Sequence, residues 1–238
     1  MSPHPVRPAR FLTVLLAAAL FPWLAGCGGG GGNSQQLTNA DKEAALRPRD
    51  DFEAGKQVPI TADTHVAAGR FAEAAENFPQ ALDQYQKALA MSPRHQEALF
   101  RTAVVHVKMK NLPAAVETWT KYVAATNGDA TAYANLGFAY ELSGRTSEAE
   151  SAYQKGVRRD PTNAACRTNY GLMLARKERF NEAVLQLQTV MPRADVHYNI
   201  ASIYEELGRK EQAKLEYRKA LDLDPQMTDA QDRLAALD

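Results

Sequence analysis

The chain has 238 residues, enough for one or two globular domains, and its 28 basic residues balance its 28 acidic ones. That balance gives no electrostatic footprint for nucleic acid, whose phosphates are met by clustered lysine and arginine.

Residues 1 to 26 read as an export signal. Arg7 and Arg10 precede an apolar run from Phe11 to Leu24, too short and too closely followed by glycine to span a membrane comfortably. The segment ends Leu24-Ala25-Gly26-Cys27, which resembles the lipobox of bacterial lipoproteins, with small residues before the cut and a cysteine directly after it. The resemblance implies that Cys27 is acylated through its sulfur and becomes the mature amino terminus; an ordinary signal peptide with a chance cysteine is the alternative. Gly28 stands where enterobacterial lipoproteins retained at the inner membrane carry aspartate, so the resemblance implies the outer membrane, facing the periplasm. Each buried methylene contributes about 0.8 kcal/mol, so two or three acyl chains hold a protein on a membrane where one binds reversibly. Without residues 1 to 26 the chain is mildly acidic, 26 basic residues against 28 acidic.

Residues 27 to 61 form a tether. Gly28 to Gly32 followed by Asn33, Ser34, Gln35 and Gln36 has little to bury and much backbone entropy to lose. Asn39 to Leu46 has the composition for a short helix, and Pro48 and Pro59 interrupt regular structure after it. A flexible tether of this length reaches roughly 30 Å.

From residue 62 the chain repeats. Residues 130 to 163 form one unit: Tyr133, Leu136, Gly137 and Tyr140 share a face of a first helix at i, i+3, i+4 and i+7, and Ala149, Tyr153 and Gly156 share a face of a second. Gly144-Arg145-Thr146 separates the helices and Pro161 ends the second. Units 62–95, 96–129, 164–193 and 194–227 carry large and small residues at corresponding places, among them Gly69 and Tyr85, Ala103 and Trp119, Gly171 and Leu187, Ala201 and Tyr217. This order resembles the tetratricopeptide repeat signature, and the resemblance implies an all-α solenoid, a right-handed superhelix of helix-turn-helix units. Pro79 and Pro113 fall at the eighteenth place of their units, in the first turn of the second helix, where proline is tolerated. The fourth unit is four residues short, which predicts that Met191-Pro192 ends its second helix early and that the superhelical pitch changes before the fifth. Residues 228 to 238 read as a capping helix with Leu234 and Leu237 on one side.

The tetratricopeptide resemblance also implies a concave groove lined by the first helices. Its sixth positions would place Arg101, Asn135, Asn169 and Asn199 there, the three asparagines resembling the ladder with which some members hold an extended peptide. A carboxamide both donates and accepts, so it pairs with a peptide backbone without reading side chains. The alternative is that these amides only bond a neighbouring helix. The fifth and ninth positions add Phe100, Phe138, Leu172 and Tyr198 as an apolar floor, with packing between repeats as their other reading. Glu141, Glu205 and Glu206 make the groove acidic toward the carboxyl end, and the lysines of a chaperone-tail clamp are absent.

No catalytic, cofactor or metal site is implied. The five histidines are scattered, with His65 and His197 at the large fourth position of their units and His95 and His106 expected between repeats or at the surface. Cys166 reads as a half-buried bystander. The expected function is a membrane-anchored scaffold that grips a partner polypeptide, the architecture resembling lipoproteins of pilus and secretion assembly. An adaptor recruiting cell-wall hydrolases or proteases, and a self-associating envelope protein, are the alternatives.

Overall fold

The computed structural model describes residues 59–237, so Cys27, the signal of residues 1–26 and all but the end of the tether lie outside the described residues. Within them the chain forms five antiparallel helix pairs and one closing helix, an α-solenoid as expected. The pairs are α1 (Ala62–Ala74) with α2 (Phe78–Met91), α3 (Gln96–Lys108) with α4 (Leu112–Ala125), and α5 (Ala130–Leu142) with α6 (Thr146–Arg159). They continue with α7 (Ala164–Arg176) and α8 (Phe180–Leu187), then α9 (Arg193–Glu206) and α10 (Lys210–Leu223), and end in α11 (Thr228–Leu237). First helices pack on one another, α1 on α3, α5 on α7 and α7 on α9, whereas second helices do not meet one another to that extent. Elements that touch on one side and part on the other make a curved stack, with the first helices inside.

Six of the helices begin at a residue whose side chain caps them. Thr61, His95, Asp129 and Asn163 cap the first helices by accepting backbone N–H groups, and Asn77 and Asn111 do so for α2 and α4. Pro79 and Pro113 sit in the first turns of α2 and α4, where no N–H is missed. The turn between paired helices is the same in all five units: the fifteenth residue, Glu76, Lys110, Gly144, Glu178 or Gly208, takes a left-handed φ between 56° and 71°. The next residue's N–H then bonds back to the eleventh residue's carbonyl, as Arg145 does to Tyr140 at 2.9 Å. Glycine meets this requirement in two units, and Glu and Lys accept the strain in the other three.

Packing within a unit sets a small residue on the first helix against a large one on the second. An added Cβ on Gly137 would lie 2.7 Å from the Tyr153 ring, and one on Gly171 the same distance from Leu187. Gly69 meets Tyr85 in the same way. Tyr85, Tyr153 and Tyr217 are fully buried as a result. Between units, Gly156 admits the Cys166 sulfur, which would lie 2.5 Å from an added Cβ.

The shortened fourth unit departs from its expectation. Helix α8 has 8 residues against 14 in the other second helices, and it stops at Leu187 rather than at Met191-Pro192. Met191 still bonds back to the Leu187 carbonyl at 3.1 Å, and extended Pro192 starts α9. The deletion therefore falls in the helix itself. At the far end, α11 lays Leu234 and Leu237 against Ala213, Tyr217 and Ala220, the expected cap. At the near end Phe71 is 81% exposed, while its counterparts Val105, Ala139, Met173 and Ile203 are buried, Val105 and Ala139 in clusters with the preceding unit.

Candidate functional site

The first helices carry the residues expected to line the groove, and their polar side chains are unevenly engaged. Asn135 is half-buried on α5, and its side chain makes no hydrogen bond among the described residues. The side-chain nitrogen of Asn169, one unit on, is buried with no hydrogen-bond partner among the described residues. Asn199 differs: its amide donates to the Asp195 carbonyl at 2.8 Å in its own helix and approaches the Met191 sulfur at 3.5 Å. The expected three rungs are thus one half-buried unbonded amide, one whose nitrogen is enclosed and unbonded, and one already engaged. Arg101 is held by charge, with Nη1 3.7 Å from Glu73 and Nε 3.8 Å from Glu97.

The apolar floor is corrected in part. Leu172 is only 8% exposed and cannot form an open floor, because α7 is buried along its middle turns. Phe100 packs edge-on against Trp119 and Tyr122 of its own unit, with centroids 5.3 and 5.8 Å away. Tyr198 leans on Tyr217 at 5.6 Å. Phe138, half-buried one turn along α5 from Asn135, has no ring partner among the described residues.

The expected acidic end of the groove is neutralised. In the first, third and fifth units a buried tyrosine donates to a glutamate twelve residues earlier: Tyr85 to Glu73 at 2.9 Å, Tyr153 to Glu141 at 3.2 Å, Tyr217 to Glu205 at 2.8 Å. Each glutamate also meets a base two helices further on, Lys108 of α3 at 2.8 Å, Arg176 of α7 at 2.7 Å and Arg233 of α11 at 3.0 Å. Arg176 reaches Glu206 as well, at 3.1 Å. Burial pushes all three phenols up, Tyr217 to about 12, and raises the Glu141 carboxyl against the pull of Arg176. This tyrosine–carboxylate–base relay in alternate units was not read from the sequence. The signal was there: Glu and Tyr twelve apart in every odd unit, and a base thirty-five residues after the first two glutamates.

Histidines outside the groove are structural. His65 bonds Gln84 at 2.8 Å and His197 bonds Glu216 at 2.7 Å, each across its own helix pair; Arg167 and Gln186 make the same bridge at 2.8 Å. His95 ties Asp63 of the first unit at 2.8 Å, and burial lowers the pKa of His106, whose Nδ1 is enclosed without a hydrogen-bond partner among the described residues. Cys166 is fully buried rather than half-buried, its thiol donating to the Tyr153 carbonyl at 3.3 Å, and burial pushes that thiol up to about 12.

Comparison with known proteins places this architecture. Family models of the tetratricopeptide repeat match residues 61–130, 130–163 and 194–227, together more than half of the chain. A stretch of 97 residues is 31% identical to the small glutamine-rich tetratricopeptide repeat-containing protein 2 of Mycosarcoma maydis, covering 41% of this chain but 28% of that protein. Among solved structures, MamA superposes with a TM-score of 0.57 at 21% identity, over 71% of this chain and 94% of that one. YrrB gives 0.53 at 22%, over 72% and 91%. The thermophilic protein TTC0263 of Thermus thermophilus gives 0.53 at 23%, over 74% and 98%.

Proposed function

Because this chain belongs to the tetratricopeptide repeat proteins, we propose that its inner row of first helices is a docking surface for a partner polypeptide, carried on a lipid-anchored envelope protein. The observation that carries this reading is a pair of unsatisfied amides on successive units, Asn135 half-buried and Asn169 with an enclosed side-chain nitrogen, neither with a side-chain hydrogen bond among the described residues. A buried donor left unmade costs about 1–3 kcal/mol, so a ligand carbonyl placed there recovers that cost on binding. Phe138 beside them offers an apolar contact for a side chain of the same segment. YrrB, similar in fold, is described as having an unusual peptide-binding site, which agrees with a surface of this kind serving a peptide.

The envelope part of the proposal rests on Leu24-Ala25-Gly26-Cys27 and on Gly28 after it. Acylation at Cys27 would hold the repeats on the periplasmic face of the outer membrane, within reach of pilus or secretion assemblies. Photocrosslinking from position 138 in living cells tests the surface, with Asn135→Ala/Asn169→Ala as the comparison. Captured partner should fall at least about tenfold while helicity and melting stay unchanged; undiminished capture rejects the surface. Labelled palmitate should enter the natural chain and not Cys27→Ser.

A further inference from the structure

Three units end their second helix with a proline at the thirty-second position, Pro93, Pro161 and Pro225, but the second unit has Asn127-Gly128 there. Both take left-handed backbone, φ 55° and 74°, and Gly128 N–H closes onto the Val123 carbonyl at 2.8 Å. This different exit from α4 leaves a cleft of about 300 Å³ lined by Asn127, Gly128, Tyr133, Lys155, Arg158 and Arg159. Glycine suits position 128, where φ is 74° and a Cβ would press to 3.2 Å from the Tyr133 ring.

The charge of this cleft is as unusual within the chain as its backbone. Lysine recurs at the same place in four second helices, as Lys87, Lys121, Lys155 and Lys219. Three are neutralised inside their own helix: Lys87 by Asp83, Lys121 by Glu117 and Lys219 by Glu216, each at 2.7 Å. For Lys155 the residue four earlier is Ser151, and among the described residues Lys155 has no ion pair. Arg158 and Arg159 replace Ala90 and Met91 of the first unit and Ala124 and Ala125 of the second, and they too have no ion pair or hydrogen bond among the described residues. The Tyr133 hydroxyl is equally without a partner there. The flanking carboxylates are engaged elsewhere, Asp129 accepting the N–H of Thr131 at 2.8 Å and Asp160 that of Thr162 at 2.9 Å.

We propose that this cleft is a second docking site, separate from the inner row, which takes the carboxylates of an acidic polypeptide segment. Two guanidinium forks match carboxylates in two-point geometry, Lys155 adds a point charge, and the Tyr133 hydroxyl donates a neutral hydrogen bond. The cations at the last turn of α6 also favour its helix dipole, but that effect needs neither the vacated carboxylate at 151 nor the opened link at 127–128.

The test is fluorescence anisotropy of a labelled hexa-aspartate peptide on the purified full chain in detergent, at about 50 mM NaCl to limit screening. Lys155→Gln/Arg158→Gln/Arg159→Gln should weaken binding by about tenfold or more. Lys110→Gln/Lys177→Gln/Lys210→Gln removes the same charge elsewhere and should change it less than about twofold. Ser151→Glu, which supplies the carboxylate that Asp83 and Glu117 provide in the first two units and supports the helix, should weaken binding about threefold to fivefold. No detectable binding by the natural chain, equal losses in both triple variants, or no loss in the first overturns the site. Displacement of the peptide by millimolar phosphate at constant ionic strength assigns the cleft to a small anion instead and also overturns it. Asn135→Ala/Asn169→Ala should leave this binding unchanged, which separates the result from the fate of the inner-row proposal.

Discussion

Arg176 donates to Glu141 at 2.7 Å from one unit further along the chain, and the same guanidinium reaches Glu206 in the unit after its own. One side chain so joins three successive units. The Glu141 carboxylate is mostly enclosed, and burial raises its pKa in spite of Arg176 and the Tyr153 hydroxyl.

A raised carboxyl pKa means that the folded state favours the protonated form. The stability from this group is full below the unfolded pKa and is lost as pH rises through the folded one. Glu141→Gln cannot titrate. Its stability relative to the natural chain should therefore improve between about pH 4 and about pH 7, in paired urea titrations. A relative stability of Glu141→Gln that instead falls with rising pH would show that the ion pair, rather than burial, dominates.

Tyr153 combines a fully buried ring with a hydroxyl on Glu141. Tyr153→Ala should cost about 3–5 kcal/mol by leaving a cavity that Gly137 cannot fill. Tyr153→Phe keeps the ring and loses one bond to a partly buried acceptor, so about 1–2 kcal/mol is expected. Equal losses in the two variants would place the energy in the hydrogen bond and not in packing.

Gly156 faces both a sulfur and the backbone of another helix, with the Ala130 carbonyl 3.1 Å from where its Cβ would stand. Gly156→Ala should destabilise by about 1–3 kcal/mol despite alanine's better helix propensity, because two helices must part. Thermal unfolding followed by circular dichroism checks the sign.

The Cys166 thiol is enclosed and pushed up to about 12. In the folded chain it should resist Ellman's reagent at about pH 8, and it should react at once in strong denaturant. A fast native reaction would mean that the third and fourth units separate locally.

How far the sequence alone reaches is clear residue by residue. Tyr133, Leu136, Gly137 and Tyr153 announced a helix pair and its register, because period and side-chain volume act within thirty-four residues and recur. The prolines at the starts of α2 and α4 and the cap formed by Leu234 and Leu237 followed from equally local rules. Tertiary structure decided which polar groups find partners: Asn199 closes on its own helix while Asn135 stays open, Glu141 and Glu206 share Arg176, and Leu172 is covered. It also placed the end of α8 at Leu187 and opened the cleft beside Tyr133. The repeat pattern runs along the chain, whereas a charge or an amide is satisfied by whatever lies within about 3 Å of it in space, and stacking the units sets that distance.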